Sequence, residues 1–189
     1  MIAWRCALDH TARERLDRAL GERLDRELAP AASLAVGVYW PVRGEPDLRD
    51  RYDAWARAGC RLALPVSEPG RPLRFIAWSP GAPLIEGRFQ IPQPAAGDQI
   101  EPDLLVVPCV GFSPECVRLG YGGGHYDRTL AARRMRSIGV AYDETELAIV
   151  PGAHDIPLDA VVTPTRVVRP SSRGTTAPTR SARPPAGGG

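Results

Sequence analysis

The run RLGYGGGHYD (118–127) places an arginine, four glycines, a histidine–tyrosine pair and an aspartate in an order suited to holding an anion. Gly120, Gly122, Gly123 and Gly124 let a backbone approach a ligand closely and adopt positive φ. Successive N–H groups in such a loop form an anion nest, and a helix starting just after it adds the partial positive charge of its N-terminus. Arg118 offers a two-pronged fork for phosphate oxygens. Asp127, in the first turn of that helix, is placed to hold a Mg²⁺ that bridges phosphates. A flexible turn with a capping aspartate would not need this ordered set, so the segment reads as a phosphate loop.

Composition narrows the chemistry around it. All 24 basic residues are arginine and the chain has no lysine. Schiff-base chemistry and a P-loop lysine are therefore excluded. Any anion site must use arginine, backbone N–H groups, a helix N-terminus or a metal. Residues 169–189 carry Arg169, Arg173, Arg180 and Arg183 and no acid, so the first 168 residues hold 20 arginines against 22 acids. That mildly acidic body is not a nucleic-acid footprint. Cys6, Cys60, Cys109 and Cys116 show no CxxC spacing, and thiols in a reducing compartment are expected rather than a zinc site. No apolar run approaches about 18 residues, and residues 1–10 lack a signal-peptide core, so no membrane partner and a cytoplasmic location are expected.

The elements that must position the loop alternate. Leu16, Leu20, Leu24 and Leu28 recur every four residues and predict a helix over 10–29. Residues 33–39 read as a buried strand, 47–58 as a helix ending at Gly59, and 60–65 and 73–78 as strands. Residues 79–102, rich in Pro and Gly, show no regular period and read as a long functional loop. Residues 103–108 (DLLVVP) form the clearest strand, followed by the Gly-rich turn, a helix over about 124–136, and strands at 137–142 and 160–163. The alternation predicts an α/β fold: one three-layer domain over 1–170, with a mostly parallel central sheet and helices on both faces. The 171–189 stretch, nearly without apolar side chains, reads as a disordered tail.

The segments DLLVVPCVGF (103–112) and RLGYGGGHYDRTL (118–130) resemble the signature of the 5-formyltetrahydrofolate cyclo-ligase family. The resemblance extends over about residues 4–168 and includes YWPVRGEPDL (39–48), IPQP (91–94) and HDIPLDAVVTP (154–164). It implies ATP-dependent conversion of 5-formyltetrahydrofolate to 5,10-methenyltetrahydrofolate, with Mg²⁺, in a monomer acting on a reduced folate. By resemblance, Arg118, Leu119, Gly120, Gly122, Gly123, Gly124, His125 and Tyr126 wrap the ATP phosphates, Arg118 and Tyr126 standing in the catalytic role. Tyr121 and the residues up to His125 also face the folate, with Tyr39 and Glu45 beside it and Phe89 stacking on the pterin. Asp127 and Asp155 match the family's Mg²⁺ carboxylates.

Two departures stand out. His125 occupies a position usually held by Tyr or Phe, where it can still stack and where titration near pH 6.5 would add pH dependence. The family's basic arm, a lysine and an arginine four residues later, would fall before Met1, leaving Arg5 as the only basic residue ahead of the first helix and the nearest ATP-binding candidate. The expectation is a start assigned too late; the alternative is a weak or inactive folate- or nucleotide-binding paralogue.

Overall fold

The computed structural model describes residues 1–28 and 33–171. The leucine stripe forms helix α2 (His10–Leu28), preceded by a short helix α1 (Ile2–Cys6) that the sequence pattern did not announce. Strand β1 (Ala35–Gly37) leads to helix α3 (Arg49–Arg57), and strands β2 (Arg61–Val66) and β3 (Arg74–Ala77) follow. Next come β4 (Leu84–Glu86), β5 (Pro92–Pro94), β6 (Gln99–Ile100) and β7 (Leu104–Pro108). Strands β8 (Gly111–Phe112) and β9 (Arg118–Leu119) precede α4 (His125–Ala132), β10 (Arg136–Val140), β11 (Ala160–Val162) and β12 (Val167–Val168).

Eight strands form one sheet in the order β12-β11-β10-β7-β1-β2-β3-β6. β11, β10, β7, β1 and β2 run parallel, while β12, β3 and β6 each pair antiparallel with the preceding strand in the sheet. The pleat sorts the side chains onto two faces. Leu62, Leu64, Leu104, Val106, Ile138 and Val140 meet Leu20, Leu24 and Leu28 of α2 and Tyr52 and Trp55 of α3. Ala63, Leu105, Val107 and Val161 face the other way, where Tyr126 and Leu130 of α4 pack. Helices therefore cover both faces, as expected. Burial of Leu20, Leu24 and Leu28 contributes about 1.5–3 kcal/mol each, far more than an exposed pair such as His10–Glu14 on the same helix.

Two expectations need correcting. Residues 79–102 are not one irregular loop: β4 and β5 form a hairpin with Ile85 opposite Gln93, and β6 joins the sheet edge. Prolines on such edge strands lose no ladder hydrogen bond, which hides the strand period. The helix expected to Arg136 stops at Ala132, because Arg133 turns to an extended conformation and Arg136 already pairs with Leu104 in β10. The tail expected over 171–189 lies, beyond Ser171, outside the described residues. Among the described residues no helix is long and apolar enough to cross a membrane.

Candidate active site at the carboxyl ends of the parallel strands

Strands β1 and β7 run in the same direction, and the segments leaving them, 38–46 and 109–126, carry most of the expected site residues. β8 and β9 pair as a hairpin, with Phe112 opposite Arg118, and this sets where the Gly-rich loop begins. The loop ends at Gly124, which caps α4 in the left-handed conformation at φ 61°. Gly122 has φ 81°, and a side chain at Gly120 or Gly122 would meet nothing within 4 Å, so this stretch opens to solvent. Below it, the Thr129 hydroxyl donates to the His125 carbonyl at 2.7 Å and accepts the Leu73 N–H at 2.8 Å, tying the start of α4 to the turn before β3. Arg128, which sequence reasoning missed, donates to the Gly123 carbonyl at 2.7 Å and steadies the loop from outside.

Arg118 and Asp127, given separate roles from sequence, are brought together. Arg118 Nη2 lies 2.7 Å from Asp127 Oδ1, although it lacks the alignment of a hydrogen bond. Arg118 Nη1 donates to the Ile156 carbonyl at 2.9 Å, and the Ile156 N–H donates to Asp127 at 3.1 Å. The neighbouring Asp155 is exposed and accepts the Gly152 N–H at 2.8 Å, one residue before Ile156, whose N–H and carbonyl engage Asp127 and Arg118. Among the described residues no three His, Cys, Asp or Glu side chains group to cage a metal. Asp127, in the first turn after the open Gly-rich loop, and the exposed Asp155 have the chemistry for Mg²⁺, which takes one or two carboxylates and completes its shell with phosphate oxygens and water.

Glu45 sits in a tight turn. Its N–H donates to the Val42 carbonyl at 3.0 Å, and the Val42 N–H donates back to Glu45 Oε2 at 3.0 Å. Arg43 and Gly44 between them have φ 49° and 72°, the pattern of a type I′ turn. A side chain at Gly44 would come within 3.0 Å of the Arg5 carbonyl oxygen, so close approach and backbone conformation both demand glycine. Glu45 Oε1 accepts the Tyr121 hydroxyl at 3.2 Å, which joins this turn to the Gly-rich loop. Burial raises the Glu45 pKa above the usual glutamate value, opposed by the Val42 N–H and the charge of Arg5. Burial also pushes the Tyr121 phenol up to about 12.

Arg5 is placed differently from its expected role. It is 1% exposed, and its guanidinium donates to the Arg43 carbonyl at 2.9 Å, the Cys109 carbonyl at 3.2 Å and the Tyr121 hydroxyl. Three donations to protein groups make it a brace under the Glu45 turn rather than an open phosphate ligand. Tyr39 is likewise buried, its hydroxyl donating to the Pro46 carbonyl at 2.5 Å and its ring packed edge-on against Tyr52. It supports the turn from below.

Phe89 is 64% exposed at the tip of the β4–β5 hairpin, 6.4 Å between ring centroids from His125. The structure thus brings its aromatic face to the loop without covering it. The His125 pKa is lowered, first by burial and then by the nearby Arg128 charge, so the expected titration near pH 6.5 moves to the acid side. Tyr126 is packed under the loop with the Arg118 guanidinium 5.9 Å from its ring centre, and burial raises its pKa.

Fold and site together define an open α/β protein of the kind that takes ligands at the carboxyl ends of its strands. The sequence model of the 5-formyltetrahydrofolate cyclo-ligase family matches residues 1–164. The chain is 36% identical over 143 residues to the 5-formyltetrahydrofolate cyclo-ligase of Escherichia coli, covering 70% of this chain and 79% of that protein. It is 33% identical over 144 residues to the enzyme of that name from Mycolicibacterium smegmatis, covering 69% and 74%. Among solved structures, the 5,10-methenyltetrahydrofolate synthetase of Aquifex aeolicus superposes with a TM-score of 0.76 at 30% identity, covering 98% of this chain and 92% of that one. The synthetase of Mycoplasma pneumoniae shares the fold with a TM-score of 0.71 at 23% identity, covering 86% and 93%. The chain belongs to the 5-formyltetrahydrofolate cyclo-ligase family, a family of ligases.

Proposed function

We propose that this protein converts 5-formyltetrahydrofolate to 5,10-methenyltetrahydrofolate with consumption of ATP and release of ADP and phosphate. The observation that carries the reading is the 3.2 Å contact between Tyr121, in the phosphate loop, and Glu45, the buried carboxylate opposite it. A nucleotide on one and a pterin on the other are brought within reach of each other.

The formyl oxygen attacks the γ-phosphorus as the bond to the ADP oxygen breaks, and ADP leaves with the electron pair. The N10 lone pair then attacks the formyl carbon and N10 loses its proton. The carbon–oxygen bond breaks toward phosphate, leaving the N5–CH–N10 cation. Phosphoryl transfer of this type is driven by positioning and charge neutralisation, which a chain without lysine can supply.

In this scheme Gly120, Gly122, Gly123 and Gly124 present N–H groups to the phosphates, and Arg118 holds Asp127 in place from below. Asp127 and Asp155 are the groups that would hold Mg²⁺, which neutralises phosphate charge when bound. The ionised Glu45 accepts pterin N–H groups, two of which a carboxylate can take at once. Phe89 and His125 offer their rings to the folate, and the phenols of Tyr121 and Tyr126 stay protonated at neutral pH. The disulfide-free thiols of Cys6, Cys109 and Cys116 support a reducing, cytoplasmic setting.

The test is the near-ultraviolet absorbance of methenyltetrahydrofolate after mixing protein, 5-formyltetrahydrofolate and Mg-ATP. Product that depends on ATP is expected. Tight folate binding with no product would instead make this a binding protein without catalysis.

A further inference from the structure

The lysine-free composition leaves open which cation faces the transferring phosphoryl group. The arginines nominated from sequence are committed elsewhere: Arg5 is buried with three protein acceptors, and the Arg118 side chain is 5% exposed against Asp127 and Ile156. Arg128 is engaged by the Gly123 and Arg71 carbonyls. Arg43 differs. Its side chain is exposed, and among the described residues its guanidinium makes no hydrogen bond or ion pair. It lies 5.2 Å from the centre of the Tyr121 ring, stacked on the phosphate loop while its own turn carries Glu45.

The backbone around this guanidinium is fixed while the side chain remains available. Arg43 holds φ 49°, a conformation that disfavours any residue with a Cβ, and its carbonyl is pinned by Arg5 Nε at 2.9 Å and Cys6 Sγ at 3.3 Å. A strained residue held by its surroundings beside a site points to use of its side chain. Arginine also suits the task, because its planar fork reads two phosphate oxygens at once.

We propose that Arg43 binds the γ-phosphate of the nucleotide and neutralises it during transfer to the formyl oxygen. The inference rests on the nucleotide reading of the Gly-rich loop and adds a residue that the resemblance did not supply. The Arg43 guanidinium stands over Tyr121 of the loop, and Tyr121 in turn reaches Glu45 of the Arg43 turn, so a phosphoryl group held by the loop would meet this cation first. Coulomb attraction to Arg43 also lowers the pKa of Glu45, so the same cation favours the carboxylate that receives the folate.

The experiment compares wild type, Arg43→Gln and Arg43→Lys by calorimetry with Mg²⁺, using a methylene-bridged ATP analogue and ADP. Arg43→Gln is expected to weaken the analogue at least tenfold and leave ADP unchanged, with Arg43→Lys between the two. Unchanged affinity for the analogue, or an equal loss for both nucleotides, overturns the assignment of Arg43 alone. A wild-type chain that binds neither nucleotide overturns the reading of the loop, and this inference with it.

Discussion

Two turns at the site share one backbone conformation and put it to opposite uses. In the 42–45 turn the central residues Arg43 and Gly44 have positive φ, closed by Glu45 N–H to the Val42 carbonyl at 3.0 Å. In the 88–91 turn Phe89 and Gln90 have φ 57° and 58°, closed by Ile91 N–H to the Arg88 carbonyl at 3.2 Å. The first places glycine at one strained position and is braced by Arg5, Tyr121 and the Glu45 carboxylate. The second carries two bulky residues in the left-handed region at an exposed tip. Strain in the first is held by the buried Arg5 and fixes a charge. Strain in the second costs stability and presents an aromatic ring to solvent.

The comparison breaks first at Gly44. Gly44→Ala forces a Cβ into the left-handed region and against the Arg5 carbonyl oxygen 3.0 Å away. A loss of about 2–3 kcal/mol is expected, read as a drop in Tm of roughly 5–10 °C. The mirror change, Gln90→Gly, removes strain from the exposed turn and should stabilise by about 1 kcal/mol. Equal effects of the same sign would remove the distinction between the turns.

Glu45→Gln probes the charge that the braced turn fixes. Hydrogen bonds to an ionised group contribute about 1.5–3 kcal/mol, so 5-formyltetrahydrofolate affinity should fall roughly ten- to hundredfold in calorimetry. The pH dependence has a definite sign. Burial raises the Glu45 pKa, so the carboxylate protonates as pH falls through a value above the usual glutamate range. Wild-type folate affinity should therefore weaken on the acid side, and the variant should lose that limb.

At the exposed turn, Phe89→Ala removes a stacking face. Stacking contributes about 1 kcal/mol, so KM for the folate should rise about fivefold with Tm unchanged. The smallest effect on pH dependence is expected at His125→Gln. Burial and Arg128 hold His125 neutral at physiological pH, so the rate profile between about pH 7 and 8 should not change shape.

What the sequence displayed follows from how local each signal is. The Gly-rich loop was legible because its glycines, Arg118 and Asp127 lie within ten consecutive positions. The helices and main strands followed from leucine and valine spacing. The Tyr121–Glu45 contact spans 76 positions, so no local pattern points to it; only the family resemblance set both residues beside the folate. Arg5 carried a charge that suggested an anion ligand, but charge alone says nothing about burial. Arg43 looked like any loop arginine, because only the folded turn reveals its positive φ and its place over Tyr121. The proline-rich strands of the 84–94 hairpin hid their period for want of a buried face.

The most direct test of the central claim follows the formyl oxygen. The chain is mixed with Mg-ATP and 5-formyltetrahydrofolate carrying heavy oxygen in the formyl group, and the released phosphate is read by mass spectrometry. Because the formyl oxygen attacks the γ-phosphorus and departs with it, each phosphate formed with methenyl product should carry one labelled oxygen. Unlabelled phosphate accompanying the product would contradict phosphoryl transfer between the Gly-rich loop and the folate beside Glu45.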